Sequence, residues 1–355
     1  MPRKKRRSTA RTKRPRRQRG NQRTESLWDL DRDGVTYSML SRFVVDPERF
    51  RLHAVEGWEE TGLNIPIQFG SCFHDCLENH AAGYPTSTEN VIRHYQSTRT
   101  SSSAGPDDRE ALAKCCGMVS VIFPIYIDYW QAHDVRREVL HQEATFEFKH
   151  PLVGVGIEPR NLTIRGRWDS VYQEDGELWL QENKTKGQVD EEYIMSTLHQ
   201  NLQTMMYCLA LRAYYKRCPD GVLYNVVRRP QLRPRKTETL KAFVDRVHDD
   251  VLDRPEWYFM RYTVQLIDTD LEKWVQHQFN PILYRLCMWW DSIRHDPFDP
   301  WVTKDGRPNL QHFQRPFGVY DALGVGGRGE YYELLTKGSY FGLTQRADLF
   351  PELVD

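Results

Sequence analysis

The sequence predicts an α/β fold: a small mixed sheet flanked by helices, with a helical layer inserted ahead of the sheet. Three observations carry this. Helical spacing dominates up to about residue 135 and then gives way to alternation. Two alternating runs, 162–172 and 177–185, flank Asp175-Gly176, the strongest short-range signal for a two-residue hairpin. A long helical pattern over 190–216 follows, and leads to a further apolar run at 221–227.

The elements follow in order. Residues 1–23 carry 12 Lys or Arg and no Asp or Glu, so the first 27 residues are expected as a disordered basic tail. The chain of 355 residues holds 49 charges of each sign, which leaves 37 cations against 49 anions after the tail. Such a tail binds polyphosphate by counterion release, without sequence specificity. A solvated solubility tail is the alternative, as is a nuclear localisation signal in a eukaryote. The domain is expected over 28–355. Residues 36–50 read as two short helices around Pro47, and 70–80 as a helix. A Ser- and Gly-rich loop at 99–108 precedes a helix to about Trp130, which gives a helical layer over about 75–135.

Residues 143–148 alternate as a strand. The 190–216 helix has Ile194, Leu198, Leu202, Met205 and Leu209 at helical spacing. Further helices are expected at 237–254 and 269–294, and a loop-rich segment from about 296, most glycine-rich at 324–329. The richest apolar stretch, 118–129, is too short to cross a membrane and contains Asp128, so no membrane partner is expected. Seven scattered Cys and no apolar leader fit a reducing compartment: cytoplasmic in a bacterial or phage-infected cell, nuclear in a eukaryote.

The hairpin carries the chemistry. With Asp175 and Gly176 as turn residues, Asp169 falls opposite Glu182, and Lys184 lies two residues on, on the same face. Like charges opposed on a sheet are unfavourable unless a cation sits between them. Val171, Leu178 and Leu180 share that face, which implies partial burial. Two carboxylates and an amine there fit a hard divalent cation, Mg²⁺ or Mn²⁺, with a positioned lysine. A solvated strand face with a local Glu–Lys pair is the bland alternative.

Ile164-Arg-Gly-Arg-Trp-Asp169 followed by Glu182-Asn-Lys184 resembles the core of the PD-(D/E)XK nuclease superfamily. Three further segments are similar to its RecB-like exonuclease branch. They are Gly70-Ser-Cys-Phe-His74-Asp-Cys-Leu77-Glu78, Gln203-Thr-Met-Met-Tyr207, and Tyr37-Ser-Met-Leu to Pro47-Glu-Arg-Phe50. Their order and separations agree over about 35–230.

The resemblance implies a restriction-endonuclease-like fold and a metal-dependent DNA exonuclease of recombination or repair. It implies His74, Asp169, Glu182 and the Asn183 carbonyl as metal ligands, and Lys184 as the residue that orients or helps deprotonate water. Gln203 and Tyr207 would stand near the site on one helix face, with Glu78 one turn from His74. Arg165 and Arg167, on the Asp169 face, are candidate phosphate contacts, as are Arg228, Arg229, Arg233, Arg235 and Lys236 after the 221–227 strand. A single-strand annealing protein or a helicase is an implied partner. Some relatives hold an iron–sulfur cluster on cysteines; here Asp46 and Arg315-Pro316-Phe317 stand at those positions, so no cluster is expected. Cys72, Cys76, Cys115 and Cys116 read as helix packing. A structure-specific endonuclease of the same fold, or an inactive nucleic-acid-binding module, are the rival readings.

Overall fold

The computed structural model describes residues 25–83, 87–100, 105–154, 156–314, 329–350 and 353. Residues 1–24 of the basic tail, the glycine-rich stretch up to Arg328 and Arg315-Pro316-Phe317 lie outside them.

A single helical turn, Leu30–Asp33, precedes α1 (Tyr37–Val45), which is capped by Thr36, and the short turn Pro47–Phe50, capped by Asp46 through the Glu48 and Arg49 N–H groups. The helical layer follows as α2 (Ile65–Ala81), α3 (Thr88–Arg99) and α4 (Pro106–Asp134). Next come β1 (Glu138–Leu152), β2 (Arg160–Glu174) and β3 (Glu177–Lys186). After them run α5 (Glu191–Thr197), α6 (Leu202–Tyr215), β4 (Gly221–Arg228), α7 (Leu240–Asp253), β5 (Phe259–Gln265) and α8 (Asn280–Ile293). The five strands form one mixed sheet in the order β1-β2-β3-β4-β5, parallel only between β3 and β4. This is the restriction-endonuclease-like arrangement that the sequence predicts.

Four details differ from the sequence reading. The 190–216 helix is broken at Asn201, whose extended backbone ends one segment while its side chain accepts from the Gln203 and Thr204 N–H groups to start α6. Strand β5 was not expected. Helix α4 runs 29 residues, to Asp134 rather than about Trp130, and, unlike the 118–129 stretch taken alone, is long and apolar enough to span a membrane by length and composition. Eight of its side chains, from Leu112 to Tyr126, are buried in a core shared with α2, α3 and α7, as in the core helix of a globular domain. The fourth lies after residue 296, where the chain forms a helix, Tyr332–Lys337, and a strand, Leu343–Gln345, that pairs antiparallel with Trp58–Glu60.

The β2–β3 turn is built as expected. Asp175 and Gly176 both take positive φ, 51° and 88°, as a two-residue hairpin of this type requires. Pairing runs from Glu174↔Glu177 to Ser170↔Gln181 in one register. That register puts Asp169 and Glu182 on the next rung.

The largest core gathers Trp28, Phe43, Phe50, Trp289 and Trp290 with Val171, Leu178 and Leu180; a second lies under the helical layer and holds Cys72, Cys76, Cys115 and Cys116, all buried, and a smaller one joins Ile194 and Leu198 to Tyr224 and Val226. Gly166 lies where β2 meets α6. A Cβ there would come within 2.4 Å of Phe146 and 3.1 Å of Tyr207. Phe146 is itself held by the Trp168 and Tyr207 rings, so it has little room to yield. Gly166→Ala is therefore expected to cost about 1–3 kcal/mol of stability by overpacking, read as a lower urea midpoint at unchanged slope. An unchanged midpoint would show that Phe146 moves aside freely.

Candidate active site

The next rung after Ser170↔Gln181 is where the ladder opens. Instead of continuing backbone pairing, the Asp169 carboxylate accepts the Asn183 N–H at 2.6 Å. Asp169, Glu182 and Asn183 are all buried, Glu182 completely. The Lys184 ammonium donates to Glu182 at 2.7 Å and stands 3.7 Å from Asp169. The cation required between two opposed carboxylates is thus supplied by the chain itself.

Helix α2 brings His74 to the same place. Its Nδ1 meets the Glu143 carboxylate at 2.8 Å. Glu143 was absent from the sequence-derived candidates. Its neighbours pair as Gln142↔Ser170 and Ala144↔Trp168, so it falls opposite Asp169 on the other side of β2. That register is the one that runs unbroken from His141↔Val171 to Leu152↔Arg160; a bulge between Val139 and His141 ends it just before Glu143, which itself takes a left-handed φ of 45°, rare for a non-glycine residue in a strand. Single donor atoms of His74, Glu143 and Asp169 all lie within 4.8 Å of one another.

Arg167 ties the group together. It donates to the Glu143 carbonyl at 2.8 Å, sits 3.2 Å from the Glu143 carboxylate, and reaches Glu78 on α2 at 3.1 Å. Gln203 and Tyr207 share a hydrogen bond on α6, and Tyr207 feels the charges of Asp169, Glu182 and Lys184. Tyr37 and Tyr224 flank Lys184 as well, and were not among the sequence candidates.

The remaining arginines divide. Arg165 is engaged by Glu147 and by the Asp33 carbonyl. Arg228 stacks on Trp257 at the end of β4. Arg229 is half-buried, and Arg233, Arg235 and Lys236 are exposed on the loop that follows; none of these four has a contact with the carboxylate group among the described residues.

Could a divalent cation fit? The second Glu182 oxygen, Oε1, is buried with no hydrogen-bond partner among the described residues. A buried, orphaned carboxylate oxygen is costly unless something binds it. Glu143 occupies the Nδ1 of His74 and leaves Nε2 as the free ring nitrogen. Carboxylate oxygens with one imidazole form a donor set suited to Mg²⁺ or Mn²⁺. The residues fit such an ion.

The family model for the PD-(D/E)XK nuclease superfamily matches residues 35–304. The chain belongs to this superfamily. PD-(D/E)XK nucleases use divalent metal ions on nucleic-acid substrates. No curated protein matches. Among solved structures, one titled "Crystal structure of SSO0001" aligns at 10% identity with a TM-score of 0.23, over 59% of this chain and 86% of its own. At that score the likeness carries no argument.

In this PD-(D/E)XK chain the protonation states follow from the geometry. Burial pushes the Glu182 carboxyl up to about 7; Lys184 opposes the shift and Asp169 adds to it. Burial disfavours the His74 imidazolium, but Asp169 and the hydrogen-bonded Glu143 outweigh it and raise His74 to about 9. Burial likewise raises Glu143. Both Glu182 and His74 therefore keep a proton in the folded, metal-free chain that they would lose on unfolding. The His74 contribution to stability is present below its ordinary value of 6.5 and lost as pH rises to about 9. For Glu182 the folded chain loses stability as pH rises from its ordinary 4.5 to about 7.

A bound cation displaces both protons. Mn²⁺ affinity is accordingly expected to rise steeply between about pH 6 and pH 9, with proton release on binding. Calorimetry in buffers of different ionisation enthalpy reads both quantities. A pH-independent affinity would exclude Glu182 and His74 as ligands.

Proposed function

We propose that the protein is a metal-dependent deoxyribonuclease, acting as an exonuclease in DNA recombination or repair. The observation that carries the reading is Lys184, held 2.7 Å from Glu182 and 3.7 Å from Asp169 beside an orphaned carboxylate oxygen. His74, Glu143, Asp169, Glu182 and the Asn183 carbonyl are the groups that would hold the ion. Bound there, Mg²⁺ or Mn²⁺ supplies charge neutralisation for the phosphodiester and lowers the pKa of water.

The chain's own residues do the rest. Burial disfavours the Lys184 ammonium, but Glu182 and Asp169 hold its pKa above the ordinary lysine range. Lys184 therefore stays protonated, and its role is to offer charge and N–H donors to a phosphate oxygen rather than to act as a base. Arg167 fixes Glu143 and, through it, His74. Gln203 and Tyr207 position the substrate from α6.

The exonuclease reading rests on the resemblance of the His74, Gln203–Tyr207 and N-terminal segments to the RecB-like branch. A partner that anneals or unwinds single strands belongs to the same reading. The deciding experiment is digestion of end-labelled linear duplex, single strand and covalently closed circle with Mg²⁺, Mn²⁺ or EDTA. Loss of the linear substrates alone, only with metal, is the expected result. Cutting of the closed circle would make the protein an endonuclease, and no loss of any substrate would make it a binding module.

A further inference from the structure

Strands β3 and β4 run parallel, and the register pairs Glu182 with Tyr224, Lys184 with Val226 and Lys186 with Arg228. Glu182, Lys184 and Lys186 alternate onto one face, each step of two residues advancing about 6.6 Å. Just beyond the Lys184 site that face therefore presents Lys186 and Arg228 side by side.

Neither cation has a carboxylate partner among the described residues. Lys186 lies 5.9 Å from the Tyr224 ring, and burial with the nearby Lys184 charge holds its pKa below the ordinary lysine range. The Arg228 guanidinium lies 3.8 Å from the Trp257 ring centre, and its Nε donates to the Trp257 carbonyl at 3.0 Å. Between them opens a cavity of about 510 Å³ that is also lined by Tyr193 and Ile194 of α5. Asp190 is the anion on its rim, and its carboxylate is engaged in capping α5 through the Tyr193 N–H at 3.0 Å. Ile194 turns into the core, while the neighbouring Tyr193 is 64% exposed at the cavity mouth.

Two unpaired cations one step from a phosphodiester-cleaving group are an anion site waiting for the next phosphate. An exposed tyrosine beside them offers a flat face, and base–aromatic stacking needs a base whose own face is open. The cavity has the size of a small-ligand site, with room for one nucleotide unit. We propose that this pocket holds the nucleotide adjacent to the scissile phosphate as an unpaired unit, its phosphate between Lys186 and Arg228 and its base against Tyr193. The substrate class is thus a single strand or a frayed end. This rests on the nuclease reading for the neighbouring site, but the binding it describes is measured without cleavage.

The test is fluorescence anisotropy of the full chain with a labelled oligothymidylate and with a blunt duplex, in EDTA, across a salt series. Tyr193→Ala is expected to weaken single-strand binding about tenfold and leave duplex binding unchanged, while Tyr193→Phe behaves as wild type. Lys186→Gln combined with Arg228→Gln should reduce the single-strand salt slope by about 0.7, the worth of the one phosphate they share. The basic tail is present in every variant and cancels from the comparison. Circular dichroism of each variant checks that the fold is kept. Equal losses on both substrates, or none, would overturn the pocket. Metal-dependent cleavage by the wild type is scored separately. Its absence, with the binding effects intact, removes the nuclease reading and leaves the pocket standing; its presence, with unaltered binding by all variants, does the reverse.

Discussion

Replacing Lys184 by alanine is expected to lower kcat by about a thousandfold, because it removes a preorganised positive charge beside the reacting phosphate. The structural consequence is as definite. Glu182 is fully buried and Lys184 is its hydrogen-bond partner. Without that cation the ionised carboxylate is buried alone, a situation that costs about 3–5 kcal/mol when one partner of a buried pair is removed. The chain avoids part of this by holding the Glu182 proton to higher pH, so the stability deficit should grow as pH rises. Mn²⁺ should restore stability without restoring cleavage. Lys184→Met, which keeps the aliphatic stem, separates lost packing from lost charge. Thermal melts with and without Mn²⁺, alongside single-turnover kinetics, check the expectation. Wild-type turnover by purified Lys184→Ala would falsify the assigned chemistry.

The second large effect concerns register. Inserting one residue between Asp175 and Gly176 changes the two-residue turn on which the Ser170↔Gln181 pairing depends. A slip of one position sends Glu182 and Lys184 to the opposite face from Asp169. Cleavage and Mn²⁺ affinity should then vanish together while most helical circular dichroism remains, and the slip should also lower stability, because it turns Leu178 and Leu180 out of the core. If the insertion is absorbed as a bulge at the exposed tip, both functions survive. Native metal affinity in a structurally verified slipped register would show that Asp169 and Glu182 do not share a site.

What could be read from the sequence was local. The hairpin register followed from two turn residues that need positive φ and from alternation on either side, all within some twenty positions. The helical layer followed from spacing and caps. Glu143 was not legible, because its place opposite Asp169 depends on pairing with a strand across the 153–159 connection, whose length does not itself fix a register. Its neighbours Ala144 to Phe148 carry the strand pattern, and nothing in that pattern marks the glutamate as facing a histidine on α2. Strand β5 was missed for a related reason. It reads Phe-Met-Arg-Tyr-Thr-Val-Gln, and its burial is uneven because it lies at the sheet edge. The break at Asn201 lay hidden within an apolar spacing that continues on both sides, and only the side-chain cap shows that two helices share one pattern.

The pairing of Trp58–Glu60 with Leu343–Gln345 has a consequence for the order of events during synthesis. Thr61, just ahead of the helix that carries His74, donates to the Gly342 carbonyl across 281 residues of chain. The Tyr331 hydroxyl likewise donates to the Trp58 carbonyl. On the ribosome, the Trp58–Glu60 strand ahead of α2 stays unpaired until Leu343–Gln345 has emerged, long after β2 and β3 have left the tunnel. Contacts so far apart in the chain form late. A chain that stops before residue 340 therefore carries the hairpin carboxylates but leaves Trp58–Glu60, the segment that leads into the histidine helix, without its partner strand.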